Sequence, residues 1–132
     1  MTHTIKFRIR YSETDQMSYA YHGNYAQYFE MGRIEWLRNL EISYKKMEDD
    51  GIMLPVINLN INYLKPAKYD DLLTLKTTLK ARPSAKIVFL YEIFNEKNEL
   101  ITTGESTLVF IDMKKNKPCR IPAYFMQKIT GF

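Results

Sequence analysis

An α+β fold is predicted for this chain, with one long helix set against an antiparallel sheet of about five strands. Two observations carry the prediction. Between residues 24 and 40, Tyr25, Phe29, Gly32, Trp36 and Leu40 recur at three- and four-residue spacing, which is the period of an amphipathic helix. Over residues 5–11, and again from 53 to 112, apolar residues alternate at a period of two, which is the period of half-buried strands. The chain has 132 residues, enough for one domain and too few for two ordinary ones, so residues 1–132 are taken as a single domain.

The elements follow in order. In 5–11, Ile5, Phe7, Ile9 and Tyr11 face one way and Lys6, Arg8 and Arg10 the other. A polar loop, 12–22, leads into the helix. Asn24 and Gln27 have capping-box spacing, so the helix is expected to start at Asn24. A shorter helix over 43–50 stops at Gly51. In 56–64, Ile57, Leu59, Ile61 and Tyr63 oppose Asn58, Asn60 and Asn62, and Pro66 bars the end of this strand from a central place in the sheet. Leucines alternate with Thr and Lys in 72–81. Arg82–Ala85 is a turn, and Asn95–Asn98 is a hairpin turn between 86–94 and 100–111. Met113–Pro118 is a charged turn, and Pro122 suits the first turn of a last short helix. One helix covers one face of a sheet. Strands 86–94 and 100–111 are apolar on both faces, which calls for a second copy of the chain as cover.

Composition excludes several classes. One cysteine, Cys119, permits no internal disulfide, and the first residues lack a signal peptide's apolar core. No apolar run approaches the roughly 18 residues of a membrane helix. A cytoplasmic protein without membrane insertion is expected. The net charge of +4 is modest and names no partner, and no nucleic-acid motif is present. His3, His22 and Cys119 do not fall at metal-ligand spacing, so no metal is expected. No Gly-rich phosphate loop or nucleophile-elbow serine occurs.

What remains is Asp15 and His22, at a strand-to-helix junction. On pattern alone Asp15 is a loop aspartate closing an Asx-turn, and His22 a packed or capping histidine. Their setting admits chemistry, because the first N–H groups of a helix have no internal partners and favour negative charge.

Tyr11-x-Glu-Thr-Asp15-x-Met17, then Tyr21-His22-x-Asn24-Tyr25 and Phe29-Glu30-x-x-Arg33, resembles the hot-dog-fold thioesterases of the 4-hydroxybenzoyl-CoA thioesterase type. It is most similar to the small acyl-CoA thioesterases associated with the Tol–Pal system. The segments Tyr63–Asp71 and Lys117–Pro122 carry the likeness across nearly the whole chain. The resemblance implies hydrolysis of a fatty or aromatic acyl-CoA in lipid metabolism. Asp15 would be nucleophile or general base, and backbone N–H groups near His22 and Gly23 would receive the carbonyl oxygen. The His22 side chain would orient water, bind the acyl carbonyl or shape the site. Tyr25 would pack under the loop beside the substrate, and Arg82 and Lys86 would meet the phosphates of coenzyme A at a mouth between subunits. No cofactor is implied beyond the coenzyme A of the substrate. The expected assembly is a homo-oligomer, a dimer or a dimer of dimers (a homotetramer). Acyl carrier protein thioesters, or passive acyl binding, are the alternatives. Ser18 departs from the glycine common in the family, so a positive φ there would carry strain. Tyr19 and Tyr21 would add bulk to the acyl pocket.

Overall fold

The computed structural model describes residues 1–132. Strand β1 (Thr2–Arg8) is followed by a loop with one 3-10 turn at Tyr11–Glu13 and another at His22–Asn24. Helix α1 (Tyr25–Asn39) and helix α2 (Tyr44–Asp49) come next, then β2 (Ile52–Met53) and β3 (Val56–Tyr63). Strands β4 (Leu72–Leu79), β5 (Lys86–Phe94) and β6 (Leu100–Val109) form a meander, and β7 (Ile111–Asp112), β8 (Lys117–Pro118) and α3 (Ala123–Met126) end the chain. The main sheet is antiparallel in the order β1-β4-β5-β6-β3, and β2, β7 and β8 form a small second sheet.

The strand pattern emerges as the alternation predicts, with one shift. The first strand covers 2–8 instead of 5–11. Tyr11 continues the apolar alternation, but it sits in a 3-10 turn and is 77 % exposed, so it does not join the inward row of Ile5, Phe7 and Ile9. Once the chain leaves the ladder, alternation no longer assigns a face.

Helix α1 lies across the inner face of the sheet. Its buried residues Tyr25, Tyr28, Phe29, Gly32, Trp36 and Leu37 follow helical spacing. They meet the inward rows Leu73, Leu75, Thr77 and Leu79 of β4 and Ile87, Phe89, Tyr91 and Ile93 of β5. Trp36 stands edge-on to Phe89 at 5.0 Å between ring centroids, and its Nε1 donates to the Met1 carbonyl. Burying one such large side chain contributes about 1.5–3 kcal/mol. Two glycines set how closely helix and sheet approach. A Cβ on Gly32 would stand 2.4 Å from Thr77 Oγ1, and one on Gly104 would stand 2.4 Å from the Phe29 ring, which stacks on Tyr91 at 4.2 Å. A glycine inside a helix costs about 1 kcal/mol against alanine, and here the close packing offsets it.

The helix spans β1, β4 and β5 and leaves β3 uncovered. On this edge strand Ile57, Leu59 and Tyr63 point to the inner side and stay exposed (37–51 %). The outer face of the sheet needs less cover than its composition suggests. Val88 and Leu90 are half-buried there, the Lys80–Glu105 ion pair crosses beside Leu90, and Lys76 lies over the Phe94 ring at 5.0 Å. Long charged stems shield apolar surface in this way. The apolar surface that lacks cover is therefore the β3 edge.

Candidate active site

The loop after β1 is a folded hairpin. Ile9 and Asp70 exchange backbone bonds with the β4 approach, Ile9 N–H to Asp71 and Asp70 N–H to Ile9, which fixes where the chain leaves the sheet. Asp15 N–H donates to the Tyr19 carbonyl at 2.8 Å, and Ala20 N–H donates to the Ala67 carbonyl at 2.7 Å. At the tip, Asp15 Oδ1 accepts from Met17 N–H (2.9 Å) and Tyr19 N–H (3.2 Å). This is the Asx-turn of the plain pattern reading. Only one carboxylate oxygen is used: Oδ2 takes no hydrogen bond from the protein. Both readings of Asp15 are thus compatible, one oxygen for the turn and one left for a ligand.

Ser18 has φ +66°, in the left-handed region. The strain anticipated for a serine there is present, because a Cβ in this region crowds the backbone. Ser18→Gly is expected to raise stability by about 0.5 kcal/mol, the relief of strain less the entropy glycine adds to the unfolded chain. Urea unfolding followed by circular dichroism measures it. Equal or lower stability of the variant contradicts the strain.

The entrance to α1 differs from the capping expectation. Asn24 lies in helical φ/ψ and makes no side-chain cap bond. Its Nδ2 instead reaches back 11 residues to the Glu13 carbonyl (2.8 Å), which also accepts Tyr21 N–H at 2.8 Å. The helical path begins earlier, with the 3-10 turn His22–Asn24, so Asn24 is a tie between loop and helix rather than a cap. The N–H groups of His22 and Gly23 stand at this open end and donate to no acceptor in the chain. They carry the positive end of the helix dipole.

Asp15, His22 and Tyr25 line one cavity of about 250 Å³, together with Met17, Tyr19 and Tyr63. Gly23 adjoins it, under the Tyr21 ring: a Cβ on Gly23 would lie 2.5 Å from that ring. Tyr21 therefore packs over the Gly23 Cα, and only Tyr19 of the two expected tyrosines adds bulk to the cavity. Tyr25 is buried, and burial pushes its hydroxyl up from the ordinary tyrosine pKa. The family resemblance singles out Asp15, His22, Gly23 and Tyr25 in the sequence. It misses Tyr63, whose hydroxyl donates to the His22 carbonyl at 3.0 Å across 41 residues, because only sheet pairing sets those two side by side.

Arg82 and Lys86 lie elsewhere. They flank the β4–β5 turn, while Asp15 lies toward the other ends of those strands, sharing a cavity with the end of β3 and Leu64–Pro66. A nine-residue strand such as β5 spans roughly 30 Å. Within one chain these cations and Asp15 do not meet. The largest surface cavity, about 670 Å³ between β1 and α1, contains none of the predicted site residues, and its charges are mixed, with Lys6, Arg10 and Arg38 against Glu13, Glu30 and Glu35. No group of His, Cys, Asp and Glu side chains is arranged to hold a metal ion. The Cys119 thiol is pushed up by burial, away from the thiolate. No helix is long and apolar enough to cross a membrane.

A five-stranded antiparallel sheet wrapped on one long helix is the construction of a hot-dog fold. The model of the thioesterase-like superfamily matches residues 9–129, and the chain belongs to that family. DHNA-CoA thioesterase from Staphylococcus aureus superposes with a TM-score of 0.89 at 41 % identity, over 96 % of this chain and 85 % of that one. YneP of Bacillus subtilis is 33 % identical over 127 residues, 96 % of this chain and 92 % of its own. The acyl-CoA thioesterase YbgC of Haemophilus influenzae is 32 % identical over 117 residues, 87 % of this chain and 85 % of its own.

Proposed function

We propose that the protein hydrolyses acyl-CoA thioesters with Asp15, and that the acyl group is a hydroxylated aromatic acid of the dihydroxynaphthoyl kind. The observation that carries the catalytic reading is the free Oδ2 of Asp15 in the cavity at the end of α1, where the His22 and Gly23 amides are open. A thioester needs little help for its leaving group, since a thiolate departs readily. It needs an aimed oxygen and donors for the developing oxyanion, and a helix end supplies those donors already oriented. Oδ2 attacks the carbonyl carbon directly, or takes a proton from a water that does. The C–S bond breaks, coenzyme A leaves as thiolate, and water completes the free acid. The aromatic assignment is supported by the likeness to the staphylococcal DHNA-CoA thioesterase and by the flat rings of Tyr19, Tyr25 and Tyr63 around the cavity, which suit a planar acyl group.

The working assembly in this reading is a two-fold dimer formed along β3, itself able to pair into a homotetramer. Antiparallel pairing of two β3 edges would cover Ile57 and Leu59. It would also carry the Arg82–Lys86 end of one chain toward the Asp15 end of the other, where the phosphates of coenzyme A have cations to meet. With one free thiol, Cys119, the protein suits the reducing cytoplasm.

A panel of thioesters tests the substrate. Dihydroxynaphthoyl-, 4-hydroxybenzoyl-, acetyl- and palmitoyl-CoA, with an acyl carrier protein thioester beside them, are compared by kcat/KM. The aromatic CoA thioesters are expected to lead by at least about tenfold. Preference for palmitoyl-CoA or for the carrier protein would overturn the assignment.

A further inference from the structure

Tyr63 ends the edge strand β3, and its hydroxyl reaches the His22 carbonyl oxygen at 3.0 Å. That oxygen belongs to the same peptide group as the Gly23 N–H. A peptide group is planar, so holding its oxygen also fixes the direction of its N–H. Donation to the oxygen draws charge along the amide and strengthens the N–H as a donor. The oxygen accepts a second bond, from Tyr25 N–H, so the peptide is held from both sides. The Tyr63 ring is itself wedged, edge-on to Tyr25 at 5.2 Å and to His22 at 6.1 Å. Desolvation raises the pKa of its hydroxyl, which stays protonated as a donor.

We infer that Tyr63 is a positioning residue for thioester hydrolysis, aiming and polarising the Gly23 N–H through the His22 carbonyl. The inference rests on the use of the helix-end amides proposed above. It adds a link between two parts of the molecule, because the edge strand that would carry the subunit seam also holds the oxyanion donor in place.

Tyr63→Phe keeps the ring and removes only the hydroxyl. The variant is expected to lose about tenfold in kcat with KM changed by less than about twofold, a milder loss than deleting a direct oxyanion donor. Its Gly23 amide ¹⁵N resonance is expected to move, since that nitrogen responds to a hydrogen bond on the preceding carbonyl. A kcat within about twofold of the parent overturns the inference. So does a rise in KM alone, which makes Tyr63 a wall of the acyl cavity, and so does a loss of kcat with the Gly23 resonance unmoved. Asp15→Asn assayed in parallel separates the two levels. A fully active Asp15→Asn removes the catalytic reading itself, whereas an inactive Asp15→Asn beside an unimpaired Tyr63→Phe removes this inference alone.

Discussion

Asp15→Asn is expected to lower kcat by roughly 10²–10⁴-fold while leaving the fold in place. The substitution is well suited to the geometry. The amide oxygen of asparagine can still accept from Met17 N–H and Tyr19 N–H, so the Asx-turn that shapes the loop persists. What changes is the second position, where a basic oxygen with no partner becomes an amide NH₂. That group is neither a nucleophile nor a base. Circular dichroism and the thermal midpoint should therefore match the parent, and acyl-CoA should still bind. Turnover near the parent rate would mean that the free oxygen takes no part. Hydrolysis absent from the parent, with binding intact, would instead mark a passive acyl carrier. A single turnover in ¹⁸O water bears on the two routes open to Asp15: label in the carboxylate of the enzyme identifies direct attack with the mixed anhydride opened at its aspartyl carbonyl, whereas general-base catalysis places label only in the product.

Leu59→Glu is expected to have the second large effect, on assembly. Leu59 lies near the middle of β3, exposed on the row that α1 does not reach. In a two-fold pairing along this edge, a residue near the axis faces its own copy, so a new carboxylate meets a second carboxylate. Like charges brought together in an interface cost several kcal/mol. Sedimentation should report a monomer. Activity should fall mainly through KM, since Arg82 and Lys86 of the second copy would no longer reach the coenzyme A phosphates. An unchanged assembly with unchanged kinetics would move the subunit contact to another face.

Much of this architecture is legible in the residues, because period is a local property. The leucines of β4, the double row of β5 and the helical spacing from Tyr25 to Leu37 each state their element directly. The misplacements have physical causes. Tyr11 keeps the alternation of β1 after the chain has left the ladder, so the strand is predicted too late. Asn24 has a capping residue's chemistry and uses it on the Glu13 carbonyl, a partner that only the folded loop provides. The site divides in the same way. Asp15, His22, Gly23 and Tyr25 lie within one short stretch, and the family resemblance of that stretch singles them out. Tyr63 joins them through the pairing of β3 with β6, which sets its register at Thr102. Arg82 and Lys86 stand out as cations on a turn, yet nothing local reveals that they sit at the opposite end of their own sheet from Asp15.

The two glycines between helix and sheet have a bearing on how the protein can adapt. With Gly32 against Thr77 and Gly104 against Phe29, α1 packs closely on the sheet at two points. Accommodation of a bulkier acyl group then falls to the side chains at the cavity rim, Met17, Tyr19 and Leu64. Redesign of the acyl preference belongs at Met17, Tyr19 and Leu64, which border the cavity without holding the helix. The same redesign attempted on α1 would disturb the ruler from which the whole site is measured.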